Sequence, residues 1–248
     1  MKIEIELTES LKTLTSDMLE LPVFYKLEKG EVSQNGFQFL MKQRYLAAKD
    51  FMKLLEAIIR MAKDRKLVNI EKALTDNWSD EQGLERKSQK ELKIGSHEDW
   101  RVDFYKGLHI SKVELLDTTP TKETAFYQKT ITDLIDSNNL EKCLGAFLFL
   151  EYNIPQEFKV LIGICERLFP KNFNLDDSLD KETRKRNKRH RLYLFHHIKH
   201  DEQQHFVEIE SAIQLDKNSL DVPKMHEGIH SMSFAKNTFF SSNFHDMN

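Results

Sequence analysis

The stretch SQNGFQFLMKQRYLAAKDFMKLLEAIIRMAK, from Ser33 to Lys63, decides the fold class. Phe37, Leu40, Tyr45, Phe51, Leu54, Leu55, Ile58, Ile59 and Met61 recur at three- and four-residue spacing. That is the period of an amphipathic helix, not the two-residue alternation of a half-buried strand. Ser33 is placed to cap its start, because a hydroxyl there accepts from an N–H that the first turn leaves without a helical partner. The stretch reads as one long helix whose apolar side is a packing surface.

The same period continues on both sides. Leu7 to Leu19 is helical and ends before Leu21-Pro22. Val68 to about Gly83 follows, stopped by the glycine. Ser96 reads as an N-cap with Asp99 at the third helical position, so a helix is predicted from His97 to Leu108. Pro120 opens another that runs to Ile135. Leu140 to Tyr152 is almost wholly apolar and must be buried on most sides; Pro155 should break or kink it before it resumes to about Leu168. Asp180 to Leu215 is a long helix, and Pro223 starts the last one. Only 8 glycines and 5 prolines punctuate 248 residues, fewer than the turns of a sheet protein of this size require. No repeat and no low-complexity segment interrupts the pattern. The expectation is all-α: a single-domain helical bundle over residues 1–248, with about six to eight helices and short connections.

Composition narrows the function. The net charge of -3 argues against a general nucleic-acid binder. The basic run from Lys181 to Arg191 reads first as a solvated helix start, and second as a hold for an anionic ligand. The two cysteines, Cys143 and Cys165, sit in apolar helical runs and are expected as buried thiols, not as a disulfide or zinc site. The first residues carry no apolar signal-peptide core, and no window approaches the roughly 18 apolar residues of a membrane span. A cytoplasmic protein without a membrane partner is expected.

Five of the 10 histidines fall between His190 and His205. On an α-helix, residues four apart lie about 40° apart in azimuth and roughly 6 Å along the axis. His197 and Asp201 therefore share a face, and position 204 falls about 20° to the other side of His197. Imidazole and carboxylate at this spacing can chelate a divalent metal, or can equally form a buried His–Asp pair. Three residues elsewhere could complete a site. Glu81 precedes Gln82-Gly83 at a helix end. His97 opens the next helix. Glu151 ends a run of apolar residues, where a carboxylate must be paired, protonated or metal-bound.

With these residues in view, the chain resembles the heme-oxygenase-like diiron oxidases, a helical family related in fold to thiaminase-type and pyrroloquinoline-quinone-synthesis proteins. The likeness begins at Leu21 to Gly30, continues through Phe39 to Phe51, and covers most of the chain. It implies a heme-oxygenase-like bundle in which Glu81, His97, Glu151, His197 and Asp201 hold non-heme iron. The family's last ligand helix has a third histidine where this chain has Gln204, so the resemblance leaves the sixth ligand to His205, with His200 or Gln204 instead. It implies two Fe(II) per chain, or one if the Gln204 position weakens a site, with manganese as the other metal of suitable chemistry. It further implies O2 as co-substrate, an external electron donor, and a homodimer. The substrate would be an amino acid, amine or fatty acid, altered by hydrogen abstraction, N-oxygenation or oxidative C–C cleavage. Two competing expectations are a metal-independent, thiaminase-like enzyme of the same fold and a non-catalytic ligand- or partner-binding protein.

Overall fold

The computed structural model describes the backbone of residues 3–83 and 97–243, and the side chains of residues 7–83, 97–199 and 204–243. The helices are α1 (Ile3–Leu19), α2 (Pro22–Lys29), α3 (Gln34–Ala48), α4 (Phe51–Asp64), α5 (Val68–Glu81), α6 (His97–Gly107) and α7 (Lys112–Asp117). They continue with α8 (Lys122–Asp136), α9 (Leu140–Leu168), α10 (Pro170–Phe173), α11 (Lys181–His196), α12 (Glu202–Asp216) and α13 (Val222–Asn243). A π-helical turn, His197–Asp201, joins α11 to α12. There is no strand among the described residues, and no helix is long and apolar enough to cross a membrane.

The caps read from the sequence are largely in place. The Ser33 hydroxyl accepts from the Gly36 N–H at 3.0 Å. Gly83 adopts a φ of 70°, the left-handed conformation that ends a helix and that glycine tolerates without strain. Ser96 lies outside the described residues.

Four boundaries differ. Ser33 to Lys63 is two helices, because the Lys49 N–H turns back to Leu46 O and the buried Asp50 starts a new ladder through the Leu54 N–H. That turn lets α3 pack on α8 while α4 packs on α5 and α9. Thr121, one residue after Pro120, caps α8 by accepting from the Thr124 N–H. Pro155 does not divide α9, which runs unbroken for 29 residues; the N–H it lacks is the one that would bond the Glu151 carbonyl. The long helix expected from Asp180 to Leu215 is interrupted by the π turn. The short helices α2, α7 and α10 were too brief for periodicity to show.

The buried apolar residues form one contiguous cluster around α9, which α13 crosses most intimately. Gly145 and Gly228 make that crossing possible. A Cβ on Gly145 would overlap the Met225 carbonyl, and one on Gly228 the Lys142 carbonyl. Backbone cannot yield as a side-chain tip can. Gly145→Ala is therefore expected to lower stability by at least about 2 kcal/mol, read from the urea midpoint. A midpoint equal to wild type would show that the two helices can separate freely.

Candidate metal centre

Helix α5 ends on Glu81, α6 begins on His97, and the π turn begins on His197. The three side chains converge, each offering a ligand atom, with all three atoms within 4.8 Å of one another. The His97 Nδ1 lies 2.8 Å from a Glu81 oxygen. Burial by itself would push the Glu81 carboxyl up. The neighbouring imidazole of His97, then His197 and His205, outweigh it and bring it down to about 2, so the group is a carboxylate at neutral pH.

Each imidazole is held by its surroundings. The His197 Nδ1 is 2.8 Å from the Tyr193 carbonyl. A carbonyl can only accept, so Nδ1 carries the proton and Nε2 is left as the donor atom, the arrangement that orients a ligating histidine. The His97 ring packs on Trp100 at 4.7 Å and on His196 at 5.2 Å between centroids. These rings wall the cluster from solvent on that side. Two buried imidazoles and one half-buried ionised carboxylate, converging, fit a divalent metal and are the donor set typical of mononuclear non-heme Fe(II) centres.

The other predicted ligands are placed differently. Glu151 is buried, at 3% exposure, as its apolar flanks require. It accepts from the Asn77 side-chain amide at 2.9 Å and lines the same cavity, but it does not join the close three-residue cluster. His205 is buried and 3.0 Å from an Asp80 oxygen. Gln204 is exposed and donates to Glu208. The side chains of Asp201 and His200 lie outside the described residues.

The π turn explains the reversal at positions 204 and 205. A π-helical turn accommodates one residue more than an α turn. Counting beyond it at α spacing is therefore one residue short, and His205 takes the inward bearing that regular α geometry assigns to position 204. Sequence spacing could not reveal this, because nothing in His197-Ile198-Lys199-His200-Asp201 marks a π turn. His205→Ala strips the buried Asp80 of this partner and should cost about 1–3 kcal/mol, whereas Gln204→Ala should stay within about 0.5 kcal/mol of wild type. Thermal melts of the two variants decide it; equal melting temperatures would reverse the assignment of the inward residue.

A cavity of about 180 Å³ opens beside the cluster. Phe51, Leu150, Ile154, Phe239 and Phe240 give it apolar walls. Its remaining wall holds Arg44, Glu157 and Lys236, from α3, α9 and α13, all buried. Glu157 pairs with Arg44 through one oxygen and with Lys236 through the other, the latter at 2.8 Å. Arg44 also lies 4.4 Å above the Phe158 ring. These three charges are not among the candidate residues read from the sequence. The signal was available: Arg44 continues the face of Phe37 and Leu40, and Lys236 that of Ile229 and Met232, so both are charges at core positions.

Neither cysteine lines this cavity. Both are buried, and burial pushes their thiols up, Cys143 to about 12.

Comparison with known proteins gives the kinship. No curated protein matches the chain. Among solved structures, a CADD-like protein of unknown function from Nostoc punctiforme superposes with a TM-score of 0.73 at 16% identity, covering 98% of this chain and 99% of that one. A TenA homolog from Pseudomonas syringae gives 0.68 at 13% identity, covering 98% and 90%. A candidate TenA-like thiaminase from Sulfolobus solfataricus gives 0.62 at 12%, covering 98% and 95%. At such identities the likeness shows the helical fold alone, and none of these names mentions iron or oxygenation. The kinship with thiaminase-type and pyrroloquinoline-quinone-synthesis proteins rests on the amino-acid sequence. A family model describing TENA/THI-4/PQQC proteins matches residues 15–186, a span that includes Glu81, His97 and Glu151 and stops short of His197, and the chain belongs to that family.

Proposed function

We propose that this protein is a non-heme iron enzyme that uses O2 to oxidise a small molecule, with Glu81, His97 and His197 holding the metal. The observation that carries this reading is the convergence of those three donors within 4.8 Å at the wall of a cavity. Bound iron would supply redox chemistry with O2 that protein side chains lack. The chain's own groups do the rest. Tyr193 fixes the His197 tautomer, Asn77 orients Glu151 toward the cavity, and the Trp100 and His196 rings keep water from His97. A second iron would need Glu151, Asp201 and His205, and His205 would have to leave Asp80.

The test is to load metal-free protein anaerobically with Fe(II), count bound iron, then admit O2 and follow the absorbance. One iron per chain supports the three-residue centre, and two supports recruitment of the remaining donors. Near-zero iron overturns the reading.

The second reading is a metal-independent, thiaminase-like enzyme, with Glu81 and His97 as an acid–base pair. The family name and the TenA neighbours favour it directly. A cysteine nucleophile is not at hand for it, since both thiols are buried away from the cavity. Near-zero iron with turnover of thiamin by the metal-free protein would establish it.

A further inference from the structure

We infer that Arg101 is the polar anchor of the cavity, and that the substrate is an uncharged molecule with an apolar body and an oxygen acceptor of the carbonyl kind. This rests on the cavity beside Glu81, His97 and His197 being the substrate site proposed above. It holds whether a metal or the Glu81–His97 pair does the chemistry.

Arg101 lines the cavity from α6, four residues after His97. Four residues are just over one helical turn, so the two side chains leave α6 on one side, about 6 Å apart along its axis. The guanidinium is held in two ways. A terminal nitrogen pairs with Glu98, and the group lies over the Tyr45 ring, with Cζ 5.0 Å from the ring centroid. Its Nε–H is buried and has no acceptor among the described residues. A buried N–H without an acceptor is costly, and a charged donor makes stronger hydrogen bonds than a neutral one. An arginine that leaves such a donor open at a cavity wall is completed by what fills the cavity.

What Arg101 lacks is an acceptor, not a counter-charge. Glu98 already matches the guanidinium. A carboxylate on Arg101 would compete with Glu98 for one cation and be repelled by it, whereas a carbonyl oxygen accepts the same hydrogen bond without that repulsion. An amine would bring a cation to a cation. From α3 and α4, Ala47, Ala48, Phe51 and Met52 line the same cavity and suit the apolar body. With its oxygen on Arg101, such a molecule would present atoms a few bonds away to His97 and Glu81, one helical turn distant.

The experiment measures binding by ligand-observed NMR to the metal-free full chain. The probes are acetophenone and cyclohexanone, each beside its carboxylate (benzoate, cyclohexanecarboxylate), its amine (benzylamine, cyclohexylamine) and its hydrocarbon analogue (isopropenylbenzene, methylenecyclohexane). In wild type at least one ketone should bind at least tenfold more tightly than its carboxylate and amine. Arg101→Met should weaken that ketone at least tenfold, the factor expected of a hydrogen bond to a charged donor, and should not weaken the hydrocarbon. Carboxylate or amine binding equal to or tighter than the ketone overturns the proposal even if Arg101→Met fails to fold. So does unchanged ketone binding in Arg101→Met, which would place the oxygen on another donor, or no ketone binding at all. The two readings fail separately. Binding is read without metal, so near-zero iron in the loading experiment leaves the anchor standing, and loss of ketone selectivity leaves the iron centre standing.

Discussion

His197→Ala should abolish iron binding, while Lys199→Ala should leave it at the wild-type level. The two residues are neighbours in the π turn, yet they face opposite environments. His197 is buried, with its ring 5.0 Å from that of His97 and its Nδ1 on the Tyr193 carbonyl. Lys199 is exposed and lies 4.4 Å over the Phe195 ring. Removing one of three donors leaves only His97 and Glu81, 2.8 Å apart and able to hydrogen-bond each other in place of a metal. Loss of even one orienting partner of a ligand typically costs 10–100-fold in metal affinity, so loss of the ligand itself should exceed that. Iron counted after anaerobic loading and desalting reads the result. Equal iron in the two variants would remove this turn from the centre.

Glu157→Gln should be the most destabilising single change in the cavity wall. It leaves Arg44 and Lys236 buried side by side without the carboxylate that joins them. Breaking a buried ion pair by removing one partner costs about 3–5 kcal/mol, a large share of the stability of any domain. The combined Arg44→Met, Glu157→Leu, Lys236→Met protein should recover most of it, because well-packed apolar residues can replace a buried ionic cluster without loss. The pH dependence follows from the sign of the shift. Burial pushes the Glu157 carboxyl up, but Arg44 and Lys236 together hold it below its ordinary 4.5. Its stabilisation is then complete above about pH 4.5 and is lost as pH falls through the lower folded-state value. Urea melts of wild type and Glu157→Gln should therefore converge on acidification. A constant difference across that range would assign the loss to packing.

The amino-acid sequence by itself determined the helical class, the cap at Ser33, the stop at Gly83, and the burial of Glu151. These depend on local spacing and on what an apolar helix does with one carboxylate. It also drew Glu81, His97 and His197 from the background, although their meeting is a product of three elements far apart in the chain. Tertiary structure alone decided the rest. The π turn chose His205 over Gln204, since a single extra residue per turn leaves no mark in composition or period. Packing gave His205 to Asp80 and Glu151 to Asn77, pairings between α5 and helices distant in sequence. The charged wall of the cavity was settled in the same way. Arg44, Glu157 and Lys236 are each only an anomaly on an apolar face when read singly, and they become one site because α3, α9 and α13 bring two cations and one carboxylate together away from water.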